Sequence, residues 1–244
     1  MKKLHPLLSV LFLIYWGCED LFDPSVNLWG EDYSIENTTR LDLFGLTGSI
    51  PPRIGDLTNL EYLELSGNLS GGIPSEIGNL TKLTNLHLNN NKLTGEIPSE
   101  IGNLTNLTHL FLNYNELTGE IPLELGNLTN LKYLRLENNQ LTGEISESIC
   151  NLNIIWNINW YGWLEPASLI LNNQFCPPYP SCIEDNVGEQ DLSNCFDCEE
   201  DGIVELWGGC YSIEYTTELD LSYSGLRGSI PSEIGNLSQL DSLI

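Results

Sequence analysis

The sequence predicts an α/β-type repeat solenoid with capped ends, in which short parallel strands line a concave face and mostly irregular or short helical segments form the convex side. Three observations predict it. The stretches 93–116 and 117–140 are nearly identical. A Leu-x-Leu unit recurs every 22 to 24 residues, and an asparagine follows most of these units. Self-similarity at such a period is typical of units that stack because none can bury its apolar face alone.

The strand of each repeat is indicated by alternating apolar and polar residues. In "LKYLRLENN", Leu134 and Leu136 are expected to face the core, whereas Tyr133, Arg135 and Glu137 face the other way. The asparagines that follow the strands carry amides that both donate and accept hydrogen bonds, so we expect them to stack into a ladder. Its predicted members are Asn68, Asn91, Asn115 and Asn139, with Asn173 and Gln174 competing for the next position.

The remainder of each repeat returns the chain to the next strand. "LTGEIP" contains a glycine that permits a bend and a proline that is excluded from a central strand, because proline lacks an N–H. "IGNLTNL" is expected to form a compact turn or a short helix.

The consensus L-x-x-L-x-L-x-x-N-x-L-T-G-x-I-P covers about residues 39–152 and restarts near residue 217. It resembles the plant-type leucine-rich repeat of receptor-kinase ectodomains and polygalacturonase-inhibiting proteins. The resemblance implies a solenoid with parallel strands on its concave face. It does not imply one function, because such repeats serve many partners.

Two segments repeat each other outside the solenoid period. Residues 27–43 match residues 205–221, so that Trp29 corresponds to Trp207 and Tyr33 to Tyr211. We interpret both as N-terminal caps. The expected organisation is a signal peptide (1–17), an N-terminal cap (18–38), repeats (39–152), a C-terminal cap (153–195), an acidic linker (196–204) and the start of a second capped module (205–244). That second module is expected to be truncated, because it holds barely one repeat.

The acidic stretch 185–202 is poor in large apolar residues and favours a solvated linker. A calcium site is the alternative interpretation, because carboxylate oxygens suit that ion. The spacing of its candidate ligands matches no known calcium loop. These candidates are Asp197, Glu199, Glu200 and Asp201.

The amino terminus, "MKKLHPLLSVLFLIYWG", has a basic start and an apolar run too short to span a bilayer, which predicts a secretory signal. Gly17-Cys18 resembles the end of a bacterial lipoprotein signal, which implies lipidation of Cys18, although Tyr15 and Trp16 are bulkier than that pattern favours. Simple secretion and a retained anchor are the alternatives. We expect an exported protein of the cell envelope or extracellular space.

Six cysteines remain after Cys18, and in an exported chain they predict up to three disulfides. Cys198 and Cys210 correspond to Asp20 and Asp32 of the first copy, which lacks both cysteines together. This joint absence predicts a Cys198–Cys210 bond.

The other cysteines are assigned by their spacing. Cys176 and Cys182 bracket a short proline-rich loop and are predicted to pair, which leaves Cys150 with Cys195. Zinc binding is the alternative, but the chain lacks the paired C-x2-C units of a zinc site.

The strand residues that face away from the core are the candidate binding surface. By repeat they are Tyr62, Glu64, Ser66; Asn85, His87, Asn89; His109, Phe111, Asn113; and Tyr133, Arg135, Glu137. Exposed aromatic residues with arginine are typical of interaction hot spots. We therefore predict ligand binding by Tyr62, Glu64, His87, His109, Phe111, Tyr133 and Arg135. The alternative is a strand face whose aromatics only pack across strands.

Two further groups were weighed as sites. His87 and His109 lie in different columns of the predicted sheet without an obvious third ligand, so neither metal binding nor catalysis is predicted. Trp156, Trp160 and Trp163 are expected to form cap core, the alternative being an aromatic patch suited to a saccharide or protein.

Composition excludes several function classes. A formal net charge of −25 disfavours nucleic acid and anionic lipid. The sequence lacks a phosphate-binding loop and a nucleophile elbow, so we expect no enzyme and no cofactor. We predict an exported module that binds a protein or saccharide through its concave face, with membrane contact only through a lipid anchor. A structural or adhesive cell-envelope repeat protein is the alternative, and the oligomeric state stays open.

Overall fold

The computed structural model describes residues 24–154, 170–192, 195, 201–207, 209–219 and 230–244. Its strands, in chain order, are β1 (Ser25–Leu28), β2 (Glu31–Ser34), β3 (Arg40–Gly48), β4 (Tyr62–Gly71), β5 (Asn85–His87), β6 (Lys92–Gly95), β7 (His109–Phe111), β8 (Glu116–Gly119), β9 (Tyr133–Arg135), β10 (Gln140–Glu144), β11 (Gln174–Cys176), β12 (Ile203–Leu206), β13 (Gly209–Ser212), β14 (Glu218–Leu219) and β15 (Ser242–Leu243). Short 3₁₀ helices span Pro52–Asp56, Ser75–Asn79, Ser99–Asn103, Leu123–Asn127, Glu147–Asn151, Glu184–Asn186 and Ser232–Asn236.

The repeats form a solenoid with two parallel ladders. The concave ladder has the order β3–β4–β5–β7–β9, with Leu41, Leu63, Leu86, Leu110 and Leu134 aligned across it. This confirms the predicted parallel strands. A second ladder joins β4, β6, β8, β10 and β11. Its strands β6, β8 and β10 contain the "LTG" segments, for which the glycine and proline pattern indicates only a bend.

The convex side consists of 3₁₀ helices that begin directly after a proline in four of the repeats. Pro98, for example, has φ −65° and ψ 137°, which starts the helix Ser99–Asn103. A glycine near the end of four of these helices allows the turns to stack closely, at Gly55, Gly78, Gly102 and Gly126. A Cβ on Gly78 would lie 2.5 Å from the carbonyl oxygen of Glu100 in the next repeat, so no side chain fits there.

The core is a continuous spine of leucine and isoleucine side chains. Leu110, Leu134 and Leu136 are fully buried, as the alternation of the strands predicts. The same cluster includes Val26 from the first cap and Phe175 from the last. The spine therefore runs without interruption from one cap to the other.

Buried asparagines tie the repeats together behind the strands. Nδ2 of Asn115 donates to the carbonyl oxygens of Leu112 in its own repeat (2.9 Å) and Leu88 in the preceding repeat (3.0 Å). Its Oδ1 accepts from the backbone N–H of Leu93 at 3.0 Å. Asn91, Asn139 and Asn173 bond in the same way. Asn173, rather than Gln174, occupies the position that the sequence left open.

Asn68 was wrongly placed in this ladder. Its side chain is exposed, and the register aligns it with Thr47. The repeat is one residue shorter between Leu65 and Leu69 than the repeats that follow it, so Gly67 takes the ladder position. A Cβ on Gly67 would lie 2.5 Å from the carbonyl oxygen of Leu46, which leaves no room for an amide.

Each end of the solenoid is closed by a different device. β1 and β2 form an antiparallel hairpin whose Val26 and Leu28 cover the first repeat. At the other end, Gln190 replaces the last ladder asparagine, because its Nε2 donates to Ile170 and its Oε1 accepts from Phe175. With Val187 also buried, the first part of the acidic stretch 185–202 packs into the cap and is not a solvated linker.

The disulfide pairing predicted for this cap is wrong. Cys150 bonds to Cys182, and Cys176 bonds to Cys195. Cys150 takes the place of the stacking glycine of earlier repeats, and its side chain has space because the 3₁₀ column ends there. Spacing along the chain could not show this, since the Cys150–Cys182 bond crosses 32 residues.

The described residues within 201–207, 209–219 and 230–244 form a second, small core. β12 and β13 make a hairpin like that of β1 and β2, and β14 pairs with β15 in parallel. Val204, Leu206, Leu219 and Leu237 form its buried cluster. β12 begins at Ile203, inside the stretch predicted as linker.

Several expectations fall outside the described residues. Cys210 is disulfide-bonded, but its predicted partner Cys198 lies outside them. The other expectations that fall outside the described residues concern the signal peptide, Cys18, Trp156, Trp160, Trp163, Asp197, Glu199 and Glu200. Among the residues that are described, no helix is both long and apolar enough to cross a bilayer.

Replacing Asn115 by alanine is expected to lower the free energy of unfolding by about 3 kcal/mol, because it leaves the buried Leu93 N–H without an acceptor and removes one of the two asparagine donors to the carbonyl oxygens of Leu88 and Leu112. Chemical denaturation of both proteins measures the change. Asn68→Ala is the matched control and is expected to have little effect, since Asn68 lies outside the ladder. Equal losses for both variants would contradict the ladder.

Non-reducing peptide mapping is expected to recover a fragment that links Cys150 to Cys182 and another that links Cys176 to Cys195. Removing the second bond by a double alanine variant is expected to cost about 3 kcal/mol, because the released loop regains conformational entropy when unfolded. A fragment joining Cys176 to Cys182 would refute the pairing.

Candidate functional site

The concave ladder arranges its outward side chains in two columns. Parallel pairing at equal register places Arg40, Tyr62, Asn85, His109 and Tyr133 in the first column, and Asp42, Glu64, His87, Phe111 and Arg135 in the second. All seven predicted site residues lie in these columns, half-buried between their neighbours. Strand alternation alone is sufficient to place them on one surface.

The rings of this surface form one contact network. His87 stacks on Phe111 with centroids 4.5 Å apart and planes 8° from parallel, while its edge meets Tyr62 at 5.4 Å. His109 stacks on Tyr133 at 4.7 Å and meets Phe111 edge-on at 5.9 Å. We call these five residues the aromatic ridge.

Arginines cover both ends of the aromatic ridge. The Arg40 guanidinium carbon lies 3.5 Å above the Tyr62 ring centroid, and that of Arg135 lies 5.7 Å from the Phe111 centroid. Arg40 is also paired with Asp42 at 2.9 Å. Sequence reasoning missed Arg40 and Asp42, although both flank Leu41 in the same alternation and were therefore detectable.

Glu64 organises the polar side of the aromatic ridge. The Tyr62 hydroxyl donates to Glu64 Oε2, and His87 Nδ1 lies 3.6 Å from the same oxygen. Burial raises the pKa of Tyr62, with the Glu64 bond acting in the same direction. Burial lowers the pKa of His87 despite the opposing Glu64 charge. We therefore expect a neutral imidazole at neutral pH.

Two residues predicted to face outward are buried instead. Asn113 is 3% exposed and Glu137 is 4% exposed. Both follow the short strands β7 and β9, where the backbone begins to turn over the asparagine ladder. Strand alternation predicted an outward direction for them because it does not account for this turn.

The histidines contact each other edge-on, with centroids 6.3 Å apart. In the part of the chain that the structure describes, no three His, Cys, Asp or Glu side chains converge on a point where a metal ion could bind. The surface instead offers aromatic edges, two guanidinium groups and a carboxylate. Such a mixture suits contact with another molecule.

Comparison with protein families gives two matches. The family described as "Leucine-rich repeat region" matches residues 34–179, which is more than half of the 244-residue chain. The description "Leucine Rich Repeat" also matches residues 215–237. Among curated protein sequences, none matches the chain.

Solved structures of plant receptors are similar to this chain. The plant peptide hormone receptor RGFR1 in complex with RGF2 is 36% identical with a TM-score of 0.54, over 84% of this chain and 28% of the receptor chain. The Arabidopsis receptor kinase HAESA in complex with the peptide hormone IDA and the co-receptor SERK1 is 32% identical with a TM-score of 0.52, over 65% of this chain and 25% of that one.

This chain thus spans about a quarter of the length of those receptor chains. The family match, the Leu-x-Leu register and the buried asparagine ladder all concern the same residues. The chain belongs to the leucine-rich repeat family.

Proposed function

We propose that this chain is an exported, non-enzymatic binding module that recognises a polypeptide ligand through its concave strand face. The observation that carries the proposal is the aromatic ridge with its two flanking arginines. Its residues come from four neighbouring strands and hold one another in place before any ligand arrives. Such a surface loses little conformational freedom on binding, which favours affinity.

The composition of this surface supports a protein partner. Tyrosine and arginine are enriched among residues that dominate protein–protein binding, and such residues cluster where water is excluded. Arg135 and Phe111 are central candidates because they lie beside each other on adjacent strands. Arg40 and Asp42 extend the same surface towards the first cap.

Ring orientation favours a polypeptide over a saccharide. His87 and Phe111 cover each other's faces, as do His109 and Tyr133, and Arg40 covers Tyr62. The aromatic ridge therefore presents ring edges and polar groups more than open ring faces on which a sugar would stack. An extended peptide has both apolar side chains for the edges and charged groups for Arg40, Glu64 and Arg135.

The similar receptors support the same conclusion, because RGFR1 is a peptide hormone receptor in complex with RGF2 and HAESA is in complex with the peptide hormone IDA. Their chains are about four times as long as the matched portion. The present module would therefore use a smaller part of such a surface.

Export is supported by the disulfides of the C-terminal cap and by the basic and apolar amino terminus. Lipidation of Cys18 would hold the module at a membrane surface. The division into caps, repeats, linker and second module belongs to the same proposal.

A structural or adhesive array remains the competing function, because a second capped segment follows the first. The two functions differ in what the aromatic ridge does. A spacer depends on its core and caps, whereas a receptor depends on its concave side chains.

Phe111→Ala and Arg135→Ala are each expected to weaken capture of a peptide partner by about 2 kcal/mol, roughly 30-fold in Kd, because they truncate the centre of the surface. The partner is first selected from a displayed random peptide library with the intact protein. Titration calorimetry then compares the variants.

The convex side provides matched controls. Leu123→Ala removes an exposed apolar side chain and Arg53→Ala an exposed cation, both from 3₁₀ helices. We expect neither to change the affinity. If a peptide is selected yet all four variants bind it equally, the concave face is not the binding site and the spacer function is favoured.

Acid is expected to destabilise the aromatic ridge through His87. Because its folded-state pKa is lowered, the unfolded chain takes up the proton first as the pH falls below about 6.5. The stability that the folded protein gains by keeping His87 neutral is therefore fully present above that pH. It declines as the pH falls through that value and levels off below the folded-state pKa. His87→Phe keeps a ring on Phe111 but cannot titrate.

The free energy of unfolding, measured by denaturant titration between pH 8 and pH 5, is expected to fall more steeply in the wild type than in His87→Phe. Taking the difference between the two proteins cancels the titration of all other groups. Identical slopes would show that His87 is not held neutral by burial.

A further inference from the structure

We propose that Glu137 and Asn113 form a proton-operated switch beneath the aromatic ridge, in which a protonated Glu137 carboxyl donates to Asn113 Oδ1 and loss of that proton draws Arg135 away from Phe111. The switch acts on the binding surface of the proposed function, and it rests on that function only because this is the surface that it would regulate. Its chemistry belongs to the unliganded protein.

The two side chains lie opposite each other across the ladder. Leu112 N donates to Arg135 O at 2.9 Å and Tyr114 N donates to Glu137 O at 3.0 Å, so Asn113 lies between those bonds at the register position of Glu137. Parallel neighbours at equal register are separated by about 4.8 Å between strands. A carboxyl and an amide at that spacing are within hydrogen-bonding reach.

Both side chains carry an acceptor that lacks a donor. Glu137 Oε2 and Asn113 Oδ1 are sealed from solvent without any hydrogen-bond partner. Buried acceptors of this kind are rare and costly in native proteins. An ionised Glu137 has no proton to offer Asn113 Oδ1, whereas one proton on Oε2 would satisfy both atoms in a single O–H···O bond.

The surroundings favour the neutral carboxyl. The repeat that follows contributes the apolar Leu171 at this register, since Asn138 N donates to Leu171 O. The preceding strand contributes Asn113 and Phe111, neither of which is charged. On its own strand, Arg135 Nε lies 4.0 Å from Glu137 Oε1, which is too far for a hydrogen bond. Burial raises the pKa of Glu137, and this effect outweighs two opposing ones, the hydrogen bond from the backbone N–H of Glu137 itself and the charge of Arg135.

Arg135 connects this pair to the binding surface. Its guanidinium carbon lies 5.7 Å from the Phe111 ring centroid, and its Nε lies 4.0 Å from Glu137 Oε1. An ionised Glu137 would attract the guanidinium group and shorten the 4.0 Å separation into a salt bridge. The charge on Glu137 thereby sets whether Arg135 lies over Phe111 or turns inward, which changes the group offered to a ligand.

The test is a pH titration of the unliganded, full chain by NMR, following the Glu137 side-chain carboxyl carbon, the Arg135 Nε–Hε signal and the Phe111 ring protons. We expect Glu137 to titrate above the ordinary glutamate range of about 4.3. Arg135 and Phe111 are expected to shift with the same midpoint. A Glu137 midpoint within or below that range overturns the proposal, because an Asn113 amide turned to donate to a carboxylate would produce that result.

Glu137→Gln supplies the control for the coupling. Glutamine keeps the shape of the side chain and gives Asn113 a permanent N–H donor. The Arg135 and Phe111 signals are therefore expected to lose the pH-dependent shift that follows Glu137. Glu116→Gln removes an exposed carboxylate from a nearby strand and is expected to leave it intact. If Arg135 and Phe111 still shift in Glu137→Gln with the wild-type midpoint, the switch is refuted. If Glu137→Gln does not fold, the switch is judged by the Glu137 titration midpoint of the wild type alone.

These outcomes are independent of ligand capture. A raised Glu137 midpoint in a protein that selects no peptide would leave the switch standing and the proposed function refuted. If a peptide binds but Arg135 and Phe111 do not titrate together with Glu137, the proposed function stands and the switch is refuted.

Discussion

The asparagine ladder is the constraint on which the rest of the structure depends. Each ladder amide bonds to carbonyl oxygens of two successive repeats and accepts an N–H from the second strand ladder, as Asn115 does with Leu112, Leu88 and Leu93. Because these groups are buried, they have no water to replace a lost partner. The amide therefore holds successive repeats at one spacing and one register. The columns of the concave face follow directly from that register.

Close stacking of the convex turns accompanies this regular spacing. Cβ atoms at Gly78 or Gly102 would lie 2.5 Å from a carbonyl oxygen of the next repeat, so only glycine permits the approach. Among the residues that the structure describes, the column of stacked 3₁₀ turns ends at Cys150, which forms a disulfide where earlier repeats have glycine. The C-terminal cap thus begins where the packing constraint is released. Gln190 then closes the ladder with a longer side chain that spans the last gap.

The concave face combines rigidity with chemical variety. Its leucines repeat without change, while the outward positions vary between acid, base and aromatic residues. Stacking of His87 on Phe111 and of His109 on Tyr133 gives these side chains fixed positions without help from a ligand. In the same repeats, Glu137 Oε2 and Asn113 Oδ1 lack a hydrogen-bond partner, as does Nε2 of His87. In the proposed switch, protonation of the Glu137 and Asn113 pair would change which group the concave surface offers to a ligand.

Much of the fold and of the candidate site could be predicted because the relevant signals are local. A period of two within a strand places Leu134 in the core and Arg135 outside, and this alternation holds in each repeat whatever its neighbours are. The same reasoning would have found Arg40 and Asp42 had it been extended one repeat earlier. Likewise, the duplicated segments around Trp29 and Trp207 indicated two similar hairpins before any contact was known.

By itself, then, the sequence determined the repeat period, the buried leucines, the two columns of outward side chains and the family to which the chain belongs. Only the tertiary structure decided that Asn68 leaves the ladder, that Cys150 pairs with Cys182, and that Glu137 is buried. The physical reason is that these three outcomes depend on groups in other repeats or in the cap. Which group lies against which is set by how the repeats stack, and stacking is not visible in local spacing.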